Sequence, residues 1–165
     1  MKKIISAILA LCMIVSITAC SSENESSVKG SENKVMRDIT TQELIEDMGI
    51  GINLGNTFES CGNWINKSSV TNYETAWGSP VITEQMIKGY KDCGFGVMRL
   101  PVAWSNMMDE ETYTISPDYV ARVKEVLNWA LDSDLYVILN IHYDNGWFSD
   151  FADDKKRDAC FKKYE

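Results

Sequence analysis

His142 is the only histidine among the 165 residues, and it ends an apolar run. Residues 135–141 read Leu-Tyr-Val-Ile-Leu-Asn-Ile, and the chain then turns polar and aromatic at His142, Tyr143 and Asp144, with Trp147 and Phe148 just beyond. An imidazole can accept, donate or transfer a proton near neutral pH. A lone histidine is most often structural, but a place at the mouth of a buried strand favours a chemical role. The nearby acids Glu59, Asp109 and Asp144 show no spacing that would pair them as two catalytic carboxylates. The five cysteines show neither a CxxC spacing nor a histidine-rich partner, so the sequence predicts no metal and no cofactor. Three of them, Cys61, Cys93 and Cys160, remain once an N-terminal leader is set aside, and an odd number gives no disulfide framework.

The elements that must position these residues can be read in order. Lys2 and Lys3 precede an apolar stretch over residues 4–17, which is short for a membrane span and typical of a secretory leader over residues 1–19. Ile17-Thr18-Ala19-Cys20 resembles a bacterial lipobox, which makes Cys20 the expected lipidation site and anchors the chain outside a membrane. Residues 20–36 are rich in Ser, Glu, Asn and Lys and read as a flexible tether. Order is expected from residue 37. Thr40 with Glu43 forms a capping-box pattern, and Leu44, Ile45 and Met48 give a short stripe closed by Gly49. Residues 50–56 read as a short strand and residues 57–80 as a long loop without helical period. Thr83 caps a helix with Met86, Ile87, Tyr90 and Cys93 on its face, ended by Gly94. Residues 96–102 form a second strand ending near Pro101. Ser116-Pro117-Asp118 starts a helix whose buried stripe is Val120, Val123, Val126, Leu127, Ala130 and Leu131.

The third strand is the apolar run before His142. Its Val and Ile content and lack of alternation predict burial on both faces. A further helix is expected from Asp153 onward. Three β-loop-α units therefore follow one another, with long, chemically loaded β-to-α loops and tight α-to-β turns. That asymmetry points to a (β/α)₈ barrel with its site on the C-terminal face of the strands. A doubly wound sheet is the alternative, but no glycine-rich phosphate loop follows the first strand. A whole barrel needs about 250 residues, so three of its eight units are expected here. The net charge of −8 argues against a nucleic-acid partner.

Four blocks carry a resemblance: Asn53-Leu54-Gly55-Asn56-Thr57-Phe58-Glu59, Glu74-Thr75-Ala76-Trp77-Gly78-Ser79-Pro80, Met98-Arg99-Leu100-Pro101-Val102 and Asn140-Ile141-His142-Tyr143-Asp144. In this order and setting they resemble glycoside hydrolase family 5, in particular its bacterial endoglucanase branch. The resemblance implies a retaining hydrolase of β-1,4-glucan. It places Arg99 beside the nucleophilic glutamate, where a guanidinium keeps a carboxylate ionised. It places His142 at the site of the sugar being cleaved, as a supporting hydrogen-bonding residue. Asn56 and Glu59 match first-loop positions that contact glucose hydroxyls in relatives, although Glu59 could equally be a solvated loop acid. Tyr143 departs from the second histidine that many relatives carry there. Trp147, and less strongly Trp64, Trp77 and Trp104, are candidate platforms for pyranose rings, whereas Trp129 reads as packing.

The same resemblance puts the acid/base and nucleophile glutamates at the ends of strands four and seven, beyond residue 165. Three functional readings follow. The first is an extracellular, membrane-tethered endo-β-1,4-glucanase. The second is a mannanase or xyloglucanase on the same barrel, and the third a non-catalytic glycan-binding surface lipoprotein.

Overall fold

A computed structural model of the protein describes residues 37–165. The expected leader, the expected tether and Cys20, the expected lipidation site, lie outside the described residues. The first helix, α1 (Thr41–Met48), has the expected capping box: the Thr40 hydroxyl accepts from the Glu43 backbone N–H, and the Glu43 carboxylate accepts from that of Thr40. Its apolar stripe is not buried, and Ile45 stands 58% exposed. Three parallel strands follow, β1 (Gly51–Asn53), β2 (Val97–Val102) and β3 (Tyr136–Ile141), paired in chain order. Three helices lie between them: α2 (Val70–Thr75), α3 (Glu84–Asp92) and α4 (Pro117–Asp132). The last helix, α5 (Arg157–Tyr164), starts four residues later than the sequence predicts, after a 3₁₀ stretch over Asp144–Ala152 and a short turn.

Strand alternation sorts the two faces of the sheet. Ile52, Leu54, Met98, Leu100, Val102 and Val137 pack with Ile87 of α3 and Val123, Val126 and Ala130 of α4. Met98, Leu100, Ile87 and Val126 are completely buried, each burial contributing about 1.5–3 kcal/mol relative to exposure. The other face carries Asn53, Val97, Arg99, Ile138 and Asn140, which the register sets side by side. The helical core thus lies on one side and the polar set on the other, the arrangement of the first three β/α units of a (β/α)₈ barrel. A doubly wound sheet would cover both faces with helices.

Several expectations are revised. β3 is not buried on both faces: Ile138 is 47% and Leu139 43% exposed, because among the described residues β3 is the edge of the three-stranded sheet and no neighbouring strand covers it. In α4 the completely buried residue of the first turn is Tyr119, while Val120 and Leu131 are partly exposed. Val123, Val126 and Ala130 are buried as expected, and Tyr119 joins them by reaching back under the loops. Its hydroxyl donates to the Phe58 carbonyl at 2.8 Å, and its ring meets Phe58, Tyr73 and Trp104 edge-on. Burial pushes the Tyr119 phenol well above its ordinary pKa.

The long first loop is likewise not structureless. Ser69 caps α2, a helix too short to show a period, which buries Tyr73 and Glu74. Glu74, fully buried, takes Arg122 of α4 through Nε at 2.8 Å and Nη2 at 3.0 Å, and accepts from the Ile82 N–H at 3.0 Å. The same guanidinium donates to the Ile82 carbonyl at 2.6 Å and lies 5.1 Å from the Trp129 ring centroid, so Trp129 packs as expected. Arg122→Ala would leave a buried carboxylate unpaired, at a cost of about 3–5 kcal/mol. The expected result is a clear fall in the thermal midpoint of the protein carrying all its barrel units. An unchanged midpoint would show that this clasp does not hold the loop.

Candidate active site

The polar cluster sits where the C-terminal ends of the strands open into loops. Register pairs Asn53 of β1 with Arg99 of β2, and Arg99 Nη1 donates to Asn53 Oδ1 at 2.7 Å. The other arm, Nη2, lies 2.9 Å from His142 Nδ1. A guanidinium has no acceptor, so Nδ1 must accept and the neutral imidazole carries its hydrogen on Nε2. That leaves an Nε2–H free to donate. Backbone bonds hold the frame: Leu54 N–H donates to the Arg99 carbonyl at 2.9 Å and His142 N–H to the Val102 carbonyl at 3.0 Å. Arg99 and His142 are both half-buried, open to one side and fixed on the other.

The first loop presents Asn56 at its tip, exposed and with φ 58°. Glu59 lies beneath it, only 5% exposed, and is not a solvated acid. Its two oxygens accept from the Asn56 N–H at 2.6 Å and the Thr57 N–H at 3.0 Å, so the carboxylate clasps its own loop in the left-handed turn. Gly55 is needed there because a Cβ at that position would stand 2.6 Å from Asn53 Nδ2. Any side chain would push on the residue that holds Arg99.

After β3 the chain takes four left-handed residues in succession: Tyr143 (φ 28°), Asp144 (52°), Asn145 (59°) and Gly146 (74°). Asp and Asn tolerate this region, but for tyrosine it stores about 1–3 kcal/mol of strain. The turn throws Tyr143 outward, 66% exposed, and buries Asp144 to 1%. Trp147 is half-buried, with Phe148 stacked at 4.1 Å and the Lys163 ammonium 4.8 Å over its ring. Among the other candidate platforms, Trp64 and Trp77 are open to solvent, at 64% and 41%. Trp104 packs on Tyr119.

The structure therefore brings Arg99 and His142 into direct contact and sets Asn56, Tyr143 and Trp147 on the loops around them. Asn53 was missed in the sequence, since only the register of β1 on β2 sets it beside Arg99. Among the described residues no acid lies against Arg99 or His142 in a hydrogen bond, and Glu59 and Asp144 are taken up by loop donors. Among the described residues no group of His, Cys, Asp and Glu could hold a metal ion. Cys61, Cys93 and Cys160 are free thiols. The arrangement can orient a ligand and donate hydrogen bonds.

Residues 58–164 match the family model described as cellulase, glycosyl hydrolase family 5. Endoglucanase B of Clostridium cellulovorans is 37% identical over 117 residues, covering 70% of this chain and 24% of that protein. A xyloglucan-specific endo-β-1,4-glucanase of Bacteroides ovatus is 40% identical over 128 residues, covering 76% and 25%. The chain thus spans about a quarter of the length of these curated relatives. Among solved structures, a broad-specificity endoglucanase from Ruminococcus champanellensis with bound cellotriose superposes with a TM-score of 0.70 at 35% identity, covering 78% of this chain and 37% of that one. With the topology of three barrel units and the family match covering most of its described residues, the chain belongs to glycoside hydrolase family 5.

Proposed function

We propose that these residues form the N-terminal part of a retaining endo-β-1,4-glucanase. The observation that carries the reading is the Asn53–Arg99–His142 cluster at the C-terminal ends of adjacent parallel strands, in a chain of this family. A retaining glycosidase needs two carboxyls about 5–5.5 Å apart, and both are assigned to strands four and seven, beyond residue 165. One carboxylate attacks the anomeric carbon while the other, protonated, gives its proton to the departing glycosidic oxygen. Water, deprotonated by that second group, then releases the sugar. Arg99 serves by keeping the nucleophile ionised. His142 serves by donating its Nε2–H to that carboxylate or to a sugar hydroxyl. Asn56 and Trp147 bind the glycan on the loops, Tyr143 offers a phenol, and Glu59 contributes by holding Asn56.

The Bacteroides relative, whose name specifies xyloglucan, favours xyloglucan as a second substrate on the same barrel; a mannanase is the other alternative. Assaying the protein with all its barrel units on soluble β-1,4-glucan, xyloglucan and mannan tests the reading. Hydrolysis of mannan alone would overturn it, and binding without hydrolysis would favour a glycan-binding surface lipoprotein.

For residues 1–36 the reading is export followed by surface anchoring: a leader over 1–19, lipidation at Cys20, a tether over 20–36 and the barrel from 37. The support is the lipobox-like Ile17-Thr18-Ala19-Cys20. Among the described residues no helix is long and apolar enough to cross a membrane. Cys20→Ala should therefore move the protein from the membrane fraction of a bacterial host to the soluble exported fraction. Unmutated protein already free in the medium would rule out the lipid anchor.

A further inference from the structure

Asp144 is a buried carboxylate that the glucanase reading does not use. It is 1% exposed, sits two residues after His142, and belongs to the left-handed turn. Its Oδ1 and Oδ2 accept from the Ser105 backbone N–H at 3.0 and 3.2 Å, and Oδ1 also takes the Ser105 hydroxyl in a short bond. Oδ2 accepts from the Trp147 indole Nε1–H at 2.9 Å. Asn145 Nδ2 lies 3.4 Å from the same Ser105 hydroxyl. One side chain thus ties the loop after β3 to the 3₁₀ turn after β2 (Trp104–Met107), and fixes the indole at the same time. All three of its donors are neutral, so what the site requires of residue 144 is acceptor capacity at both oxygens.

We propose that Asp144 is a positioning residue, its carboxylate clamping the two loops so that Trp147 and His142 keep their working orientations. The proposal rests on the glucanase reading for its catalytic consequence and on geometry alone for the clamp. An asparagine fits the space, but its NH₂ must face either the Ser105 N–H or the Trp147 N–H, donor against donor. Glutamate keeps both acceptors and is one methylene too long for a pocket this closed. The clamp is therefore expected to fail in both variants.

The test uses the protein with all its barrel units and reads two signals. The emission attributable to Trp147 is the difference between the unmutated protein and Trp147→Phe. In Asp144→Asn that difference should shift to the red and become more accessible to acrylamide. On β-glucan, Asp144→Asn should lose at least tenfold in kcat at temperatures well below its thermal midpoint, and adding Trp147→Phe should lower it by less than the product of the two single effects. Ser105→Ala, which removes only one donor, should change the Trp147 signal in the same direction and by less; it serves if Asp144→Asn fails to fold. An unchanged Trp147 signal in the folded variants overturns the clamp. So does a lowered midpoint with normal kcat, which is the mark of a merely structural acid. If the unmutated protein does not hydrolyse β-glucan, the functional reading falls and the Trp147 emission alone decides the clamp.

Discussion

Arg99→Ala is expected to lower kcat/KM on soluble β-glucan by about a hundredfold or more while leaving the thermal midpoint nearly unchanged. The guanidinium bridges two strands at once, through Asn53 at 2.7 Å and His142 at 2.9 Å. Its removal frees the imidazole from its single directing donor, so the Nε2–H no longer points one way. It also removes the positive charge assigned to the nucleophile, whose pKa then rises and whose ionised fraction falls. Arg99→Lys should not rescue, because a single ammonium cannot hold both acceptors in the planar fork. The apolar core lies on the opposite face of the sheet, against α3 and α4, which is why stability should survive. Near-normal turnover in a well-folded Arg99→Ala protein would remove this residue from the site.

Residues 35–165 expressed alone are expected to show no hydrolysis and no cooperative thermal transition. Two independent observations lead there. The acids nearest the site, Glu59 and Asp144, already accept from loop donors and cannot serve as a catalytic pair. Among the described residues both outer strands of the sheet are also unpaired on one side, with Ile138 and Leu139 of β3 at 47% and 43% exposure and Ile50, just before β1, at 72%. An apolar edge of this kind recruits other strands, so aggregation should compete with folding. A sharp unfolding transition together with hydrolysis that His142→Ala abolishes would show a complete site within these residues.

Much of this was legible in the sequence, for identifiable reasons. Capping chemistry is local, and Thr40, Thr83 and Pro117 mark helix starts that the structure reproduces. The polar turn after β3 signalled His142, whereas Arg99, the third residue of β2, was signalled by the family resemblance. The failures came from tertiary context. β3 was expected to be buried on both faces because its composition reflects a closed barrel, whereas the described residues leave it an edge. Apolar strand residues divide between the two faces: Val97 shares the face of Arg99, while Ile52, Leu54 and Val137 pack toward the helices. Tyr119 was invisible to periodicity because its hydroxyl bonds a carbonyl 61 residues away. Asp144 read as a spare acid, since nothing local shows that Ser105, 39 residues earlier, returns to meet it.

The most direct measurement is the anomeric form of the first product. Proton NMR of a cello-oligosaccharide, mixed with the protein carrying all its barrel units, separates the two anomeric protons before mutarotation mixes them. The expected result is a new reducing end that appears first in the β form and then equilibrates, as double displacement by two close carboxyls requires. A new reducing end that appears first in the α form would contradict the retaining mechanism, and saturable binding with no new reducing end would contradict the assignment of these loops to a hydrolase.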